Sequence, residues 1–171
     1  MHARLAELER WWFAPDSRHQ PGIWRIVLAS WAGQRLWFEV QPRFPDYATR
    51  PRELSDPVSF ARWLALPIPE PGWVVLLQAA VAVLALTTVL GILTRVSAIA
   101  FALLALYVGL IANGWGYSAH ATGLPLIALL VIAFAPGIDA LGVDSWLAAR
   151  RARKGGDASR ARERLFGGAT S

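Results

Sequence analysis

The sequence contains no cysteine, only one methionine and only three histidines in 171 residues. Without cysteine, the chain can form no disulfide, no thiolate metal site and no thiol nucleophile. The histidines lie far apart at positions 2, 19 and 120, and one histidine without cysteine offers too few ligands for a structural or catalytic metal ion. A glycine-rich loop of the kind that binds phosphate is also missing. These absences argue against metal, thiol and nucleotide chemistry carried by this chain alone.

Charged residues make up only 17% of the chain, and three long runs contain almost none of them. Residues 73–93, 96–113 and 120–138 are apolar, and Arg95 separates the first run from the second. Their apolar side chains would cover all sides of a helix, which is typical of lipid-facing or fully buried helices. About 20 residues, at about 1.5 Å each, cross a hydrocarbon layer about 30 Å thick. Because too little chain remains to cover three such helices, the sequence predicts an integral membrane protein.

A fourth segment, residues 22–40, is also long enough to cross a bilayer but carries charged side chains. Arg25 lies near one end, where a long side chain can extend its charge to the interface. Arg35 and Glu39 are four residues apart, hence on one helix face, and can neutralise each other. We therefore predict a first transmembrane helix here, with an interfacial helix as the alternative.

The predicted fold is all-α, an integral membrane four-helix bundle with a short N-terminal interfacial helix and a loop helix on the outer side. Residues 1–20 form the amphipathic N-terminal segment, and residues 21–146 form the four-helix transmembrane domain. A proline-rich loop at residues 41–72 contains the loop helix, expected at residues 56–66. Residues 147–171 form a basic cytoplasmic tail.

The net charge of +5 is concentrated at one end of the predicted bundle. Four spans place both termini on one side, together with Arg95 and the arginine-rich residues 150–164, whereas three spans would separate the termini. Basic residues beside a span set its orientation and meet anionic lipid headgroups, so we expect no nucleic-acid partner. We expect both termini in the cytoplasm. Because arginine far outnumbers the single Lys154, we expect a bacterial inner membrane.

Several polar side chains of the predicted spans fall near the outer surface when the helices are placed by depth. Ionisable groups at the edge of the hydrocarbon need partners, and such clusters often line ligand or proton paths. The candidate ligand-binding residues are Gln34, Arg35, Glu39, Gln78, Asn113, Tyr117 and His120. No catalytic residue is assigned.

Two of these candidates have alternative interpretations. His120 can act as a general base or donate a hydrogen bond to a quinone, or it can be an interfacial histidine bonded to water or to Glu39. Arg35 and Glu39 can form a structural pair, or they can contact an anion or a quinone carbonyl. A haem shared with a partner chain also stays open.

Three short motifs carry a resemblance to a known group of membrane proteins. Residues 91–95 read GILTR, His120 opens the last predicted helix, and residues 135–144 read APGIDALGVD. With Arg25 early in the first helix, the chain resembles the four-helix DoxX-like proteins. More specifically, it resembles the N-terminal part of the HTTM domain, which is related to vitamin K-dependent gamma-carboxylase. The resemblance covers about residues 22–146 and implies a four-helix bundle with a pocket at its outer end.

The resemblance does not imply carboxylation, because those relatives use a lysine base and the only lysine here, Lys154, lies in the tail. Two function classes follow. The first is a non-catalytic accessory or structural subunit that packs in a larger membrane complex, which by analogy with DoxX-like relatives would be a redox complex. The second is a quinone- or vitamin-K-like-binding oxidoreductase component, with His120, Arg35 and Glu39 lining its pocket. The implied partners are membrane lipids and a larger complex, and quinone is the candidate cofactor. A transporter is less well supported, because the polar groups cluster at one end.

Overall fold

The computed structural model describes residues 19–51, 53, 55–56, 59–116 and 120–154, and all regular structure within these ranges is helical. The helices are α1 Gln20–Arg35, α2 Phe44–Thr49, α3 Ser59–Trp63, α4 Pro71–Leu90, α5 Thr94–Asn113, α6 His120–Ile132 and α7 Val143–Lys154. The all-α prediction is thus confirmed for the described chain. The predicted interfacial segment and the distal tail fall almost entirely outside the described residues.

Two helices, α4 and α5, are long and apolar enough to cross a membrane, each with 20 residues. The sequence predicted four such helices. The segment expected at residues 120–138 forms the shorter α6, which contains Pro125 and is followed by turns. The segment expected at residues 22–40 forms α1, with 16 residues, and a wide helical turn after it.

The chain stays helical for longer after α1 than the sequence predicted. A π-helical turn at Leu36–Val40 leads into a 3-10 turn at Gln41–Arg43 and then into α2. The expected loop from residue 41 is wrong at its start, because Pro42 and Pro45 occupy first-turn positions of short helical segments. At a first-turn position the proline nitrogen, which carries no hydrogen, interrupts no helical hydrogen bond. Phe44 and Tyr47 are buried and hold α2 against α4 and α5.

Four helices pack side by side in a ring, in which α1 and α5 each contact both α4 and α6. Small and large apolar side chains alternate in the centre, and the small ones let the helix axes approach closely. The buried residues of this core include Ala29, Ala32, Phe101, Ala105, Leu126 and Leu129. The ring has two ends, which we name after residues of α1 and of the turn that follows it. The Arg25 end contains the turn at residues 91–93, and the Gln41 end contains the turn at residues 114–116.

Candidate functional site

Arg25 is fully buried, so the expectation that its side chain extends to a surface is wrong. Its Nη1 donates a 2.8 Å hydrogen bond to the carbonyl of Ile138, 113 residues away in the sequence. Its Nη2 lies 3.4 Å from the carbonyl of Leu141. These carbonyls belong to the turns between α6 and α7. Arg25 therefore ties α1 near its start to the turns between α6 and α7.

Glycine makes room for the Arg25 guanidinium. Gly91 ends α4 with φ +69°, and a Cβ built there would lie 2.7 Å from Arg25 Nη1 and 2.6 Å from the Cα of Gly142. A Cβ on Gly142 would lie 3.1 Å from Arg25 Nη1. Both the left-handed backbone and the lack of space therefore require glycine at position 91.

Asp144 completes this end of the ring by capping α5 from a distant part of the chain. Its carboxylate accepts hydrogen bonds from the Leu93 N–H at 3.2 Å, the Thr94 N–H at 2.8 Å and the Thr94 hydroxyl at 2.9 Å. The Asp144 N–H donates in return to the Gly91 carbonyl at 3.1 Å. Leucine has no acceptor in its side chain, so Leu93 cannot cap the helix itself. We call Arg25, Gly91, Thr94, Gly142 and Asp144 the Arg25 cluster.

The electrostatics of the cluster favour a charged carboxylate. Burial alone would raise the pKa of Asp144, but hydrogen bonds from Thr94 and Leu93 and the nearby charge of Arg25 hold that pKa below its ordinary value of 3.8. A carboxylate at the start of a helix also meets the positive end of the helix dipole. The charged and polar groups of the Arg25 cluster thus bind other parts of the same chain, which is typical of a structural role.

Gln34 lies about halfway along the bundle, beside the middle of α4. It lines a shallow apolar groove of about 270 Å³ between α1 and α4, whose other lining residues include Trp37, Phe38, Val81 and Ala82. We call this the Gln34 groove. Neither Arg35 nor Glu39 lines this groove.

Gln78 has a partner that the sequence did not suggest. Its Nε2 donates to the backbone carbonyl of Gln41 at 2.6 Å, and the Gln41 Nε2 lies 3.4 Å from the backbone carbonyl of Gln78. This reciprocal pair joins the wide turn after α1 to α4. Both amides are thereby used in holding two segments together.

Arg35 and Glu39 form the ion pair that their spacing predicted, through Nη1 and Oε1. Their side chains stay 39% and 31% exposed, respectively, and the Arg35 Nε is buried with no partner among the described residues. Arg35 also lies near the ring of Trp31, 6.0 Å from its centroid. The pair is therefore a surface feature of α1, only partly covered by the rest of the chain.

Of the other three candidates, only Asn113 and the backbone of His120 fall within the described residues. Asn113 is the last residue of α5. Tyr117 falls outside the described residues, and His120 begins α6 with a side chain that the structure does not describe. The proposed contact of His120 with Glu39 stays a prediction. Among the described residues, no group of three or more His, Asp or Glu side chains could hold a metal ion.

The Gln41 end carries an aromatic cluster that the sequence analysis missed. The rings of Tyr47 and Trp115 are stacked with centroids 6.3 Å apart. The Arg50 guanidinium lies 5.4 Å from the first centroid and 5.9 Å from the second, which are distances for cation–π attraction. A cavity of about 320 Å³ also opens at this end between α5 and residues 55–68, and none of the predicted site residues lines it. Arg50 and Tyr47 follow the predicted end of the first helix, so only its unexpected extension brings them to Trp115.

Comparisons of the chain with protein-family models, with curated proteins and with solved structures found no match. The resemblance to DoxX-like and HTTM proteins is neither supported nor opposed by them and stays a hypothesis.

Proposed function

We propose that the chain is a small integral membrane protein that crosses the bilayer four times and serves as an accessory or structural subunit of a larger membrane complex. The main support for placing the chain in a membrane is that most of α4 is exposed. Only 17% of the most apolar stretch of α4 is buried, against 50% for α5. A core helix of a soluble protein hides such a surface, whereas lipid is the solvent that an exposed apolar helix fits.

Exposed apolar side chains on the neighbouring helices support the same placement. Leu103 of α5, Leu124 and Val131 of α6, and Val27 and Trp31 of α1 all face outward. With the wide turn included, residues 20–40 rise about 31 Å at about 1.5 Å per residue, which is enough for a span. In this proposal α6 and the turns at residues 133–138 cross the bilayer together.

The accessory role rests on how the polar groups are used. Arg25, Asp144, Gln41 and Gln78 are engaged in ties between segments of the chain. A bundle with an apolar outer surface and these four polar side chains bound within the chain is suited to packing beside another membrane protein. The basic side of α7 and Arg95 then faces the cytoplasm with both termini, as in a bacterial inner membrane.

A second candidate function is a quinone- or vitamin-K-like-binding component of DoxX or HTTM type. It is favoured by the Gln34 groove, whose apolar walls suit an isoprenoid chain and whose amide can donate to a carbonyl. In this alternative the ligand lies between α1 and α4, deeper than the pocket predicted from the sequence.

Single-cysteine variants test the placement cleanly, because the chain has no cysteine of its own. Glu70→Cys and Arg151→Cys are exposed positions at opposite ends of the ring. We expect carbonate-resistant membrane association, and we expect an impermeant maleimide to label Glu70→Cys, but not Arg151→Cys, from the periplasmic side. Labelling of both or neither, or release by carbonate, would contradict the four-span arrangement.

Native electrophoresis of a mild-detergent extract tests the accessory role. We expect the protein to migrate in an assembly well above twice its own mass and to fall to its own size in harsh detergent. Migration at the monomer or dimer mass in every detergent would count against a larger complex. Lipid extraction of the same sample tests the second candidate, which requires a quinone that Gln34→Leu removes.

A further inference from the structure

The helix α7 has an exposed face that is both apolar and basic. Its exposed residues include Trp146, Leu147, Arg150 and Arg151. Residues three or four apart are neighbours on a helix, so the two arginines lie one turn beyond the two large apolar side chains. We call these four residues the α7 face.

The two arginines keep their charge available to an outside partner. Neither forms an ion pair with a described residue. Arg150 instead lies 5.3 Å from the centroid of the Trp146 ring, a distance for cation–π attraction, which does not cancel its positive charge. Arg95 is also exposed at this end of the ring, and Asp139 is the one exposed acid there among the described residues. The surface as a whole is therefore suited to an anionic partner.

The Arg25 cluster fixes the depth of the α7 face. Asp144, in the first turn of α7, accepts hydrogen bonds from the N–H groups of Leu93 and Thr94, and its own N–H donates to the Gly91 carbonyl. Gly91 follows α4 and Thr94 begins α5, and these are the two helices long enough to cross a membrane. In the proposed membrane placement, α7 therefore begins where both long helices leave the hydrocarbon, which is the depth of the lipid headgroups.

The composition of the α7 face favours a lipid surface as its partner. At the headgroup depth, an amphipathic helix buries its large apolar side chains at the boundary of the acyl chains and holds its basic ones among the phosphates. Tryptophan is typical of this depth, and an arginine can donate two parallel hydrogen bonds to one phosphate. The exposed Leu93 and Leu141 extend the apolar part beside the start of α7. A nucleic acid would meet the arginines but leave Trp146 and Leu147 in water, and an acidic soluble protein would have to displace the headgroups.

We propose that the α7 face binds phospholipids of net negative charge in the cytoplasmic leaflet. Trp146 and Leu147 then lie at the boundary between acyl chains and headgroups, and Arg150 and Arg151 bind the lipid phosphates. In this arrangement α7 lies along the membrane surface instead of projecting into the cytoplasm. The inference rests on the proposed membrane placement, and it is independent of whether a larger complex forms.

Fluorescence quenching by labelled lipids tests the α7 face in vesicles of dioleoylphosphatidylcholine. Because the chain has no cysteine, Ala148→Cys, an exposed position of α7, takes a single fluorophore. We expect phosphatidylglycerol with a nitroxide near the top of its acyl chain to bind beside this fluorophore at least about fivefold more tightly than matched phosphatidylcholine. Glu70→Cys, exposed at the opposite end, is the control reporter and should show a smaller preference. No quenching by either lipid, or equal quenching by both, would overturn the proposal.

Charge-removing variants of the Ala148→Cys reporter assign the preference to residues. Arg150→Gln and Arg151→Gln should each lower the binding constant for phosphatidylglycerol about fivefold. Arg43→Gln removes the same charge from an exposed position at the opposite end and should leave the constant unchanged. Equal losses in Arg43→Gln and Arg151→Gln would show attraction to the overall charge and overturn the assigned surface.

Two further outcomes separate this inference from the others. If Arg150→Gln and Arg151→Gln keep the lipid preference but leave the larger assembly on native electrophoresis, the α7 face binds an acidic protein and the lipid proposal is overturned. A wild type that resists carbonate but shows no preference for phosphatidylglycerol would overturn this inference and leave the membrane placement standing. Release of the wild type by carbonate would overturn both.

Discussion

Asp144 caps α5 from 50 residues away, with its carboxylate accepting a 2.8 Å hydrogen bond from the backbone N–H of Thr94 and a 2.9 Å bond from its hydroxyl. The usual N-cap comes from the residue next to the helix, and Leu93 cannot provide it. The cap is therefore also a tertiary contact, which joins α7 to α5. The first turn of α5 is thus stabilised by a residue of α7.

Replacing Asp144 should destabilise the fold more than replacing an ordinary surface aspartate. We expect Asp144→Ala to lower the free energy of unfolding by about 1–2 kcal/mol, because three donors at the start of α5 lose their acceptor. The measurement is an SDS titration of the purified protein in mixed micelles. Asp46→Ala, in the first turn of α2, is the control and should cost less. Equal effects at the two positions would refute the role of the cap.

The lowered pKa of Asp144 predicts acid sensitivity with a definite sign. A carboxyl whose pKa is lower in the folded state contributes stability above its ordinary value of 3.8 and loses it as the pH falls through the folded value. The stability difference between the wild type and Asp144→Asn should therefore shrink from about pH 5 downward. Thermal unfolding midpoints measured across that range give the difference. Parallel curves for the two proteins would contradict the prediction.

Arg25 should be irreplaceable by lysine as well as by an apolar side chain. Arg25→Met leaves the buried carbonyl of Ile138 without a donor, at a cost of about 1–3 kcal/mol. Arg25→Lys keeps the charge but lacks the planar fork that reaches two carbonyls, so we expect a similar loss. Arg43→Met, at an exposed position, serves as the control in the same SDS titration. Wild-type stability of Arg25→Lys would show that charge alone matters.

Two glycines should respond differently to replacement by alanine. Gly91→Ala forces a Cβ within 2.7 Å of Arg25 Nη1 at φ +69°, and we expect a loss of about 1–3 kcal/mol from strain and displaced contacts. Gly123 lies inside α6, and a Cβ added there would meet nothing within 4 Å, so Gly123→Ala should be neutral or stabilise by up to about 1 kcal/mol. Thermal unfolding of the two variants measures both effects. A Gly91→Ala variant as stable as the wild type would show that the Arg25 cluster is loosely packed.

The pair formed by Gln41 and Gln78 should contribute to folding, whereas Gln34 should not. Gln78→Leu removes the donor to the Gln41 carbonyl, and we expect a loss of about 1 kcal/mol. Gln34→Leu removes no hydrogen bond within one described chain, so its unfolding as a detergent-dispersed monomer should match the wild type. Equal destabilisation by the two substitutions would place Gln34 in the monomer fold.

Local patterns predicted those parts of the fold that depend on neighbouring residues. The separation of α4 from α5 follows from the break between two apolar runs, and the pair of Arg35 and Glu39 follows from their spacing. Arg25 stands out in the sequence as a charge in an apolar segment, but its partners are backbone carbonyls of residues 138 and 141. No periodicity connects groups so far apart, and backbone acceptors leave no mark in a sequence.

The candidate site stays a prediction, and the structure adds contacts that residue counts could not show. Residue counts along the first helix place Gln34 near the outer surface but do not indicate that it lies beside Val81 and Ala82. The chain stays helical past Val40 through the 3-10 turn at Gln41–Arg43 and α2, so this helical run ends farther along the chain than its prolines suggest. That shift also explains why Tyr47 and Arg50 meet Trp115.

The wide turn at Leu36–Val40 is π-helical and therefore contains more residues per turn than a regular α-helix. Such a helix can be shortened by one residue without being broken. The wide turn holds its extra residue locally, so losing one residue there would restore ordinary winding and leave the residues beyond it on the faces that they now present. Gln41 would then still face Gln78. The same deletion in a regular stretch of helix would instead rotate all that follows by about 100°.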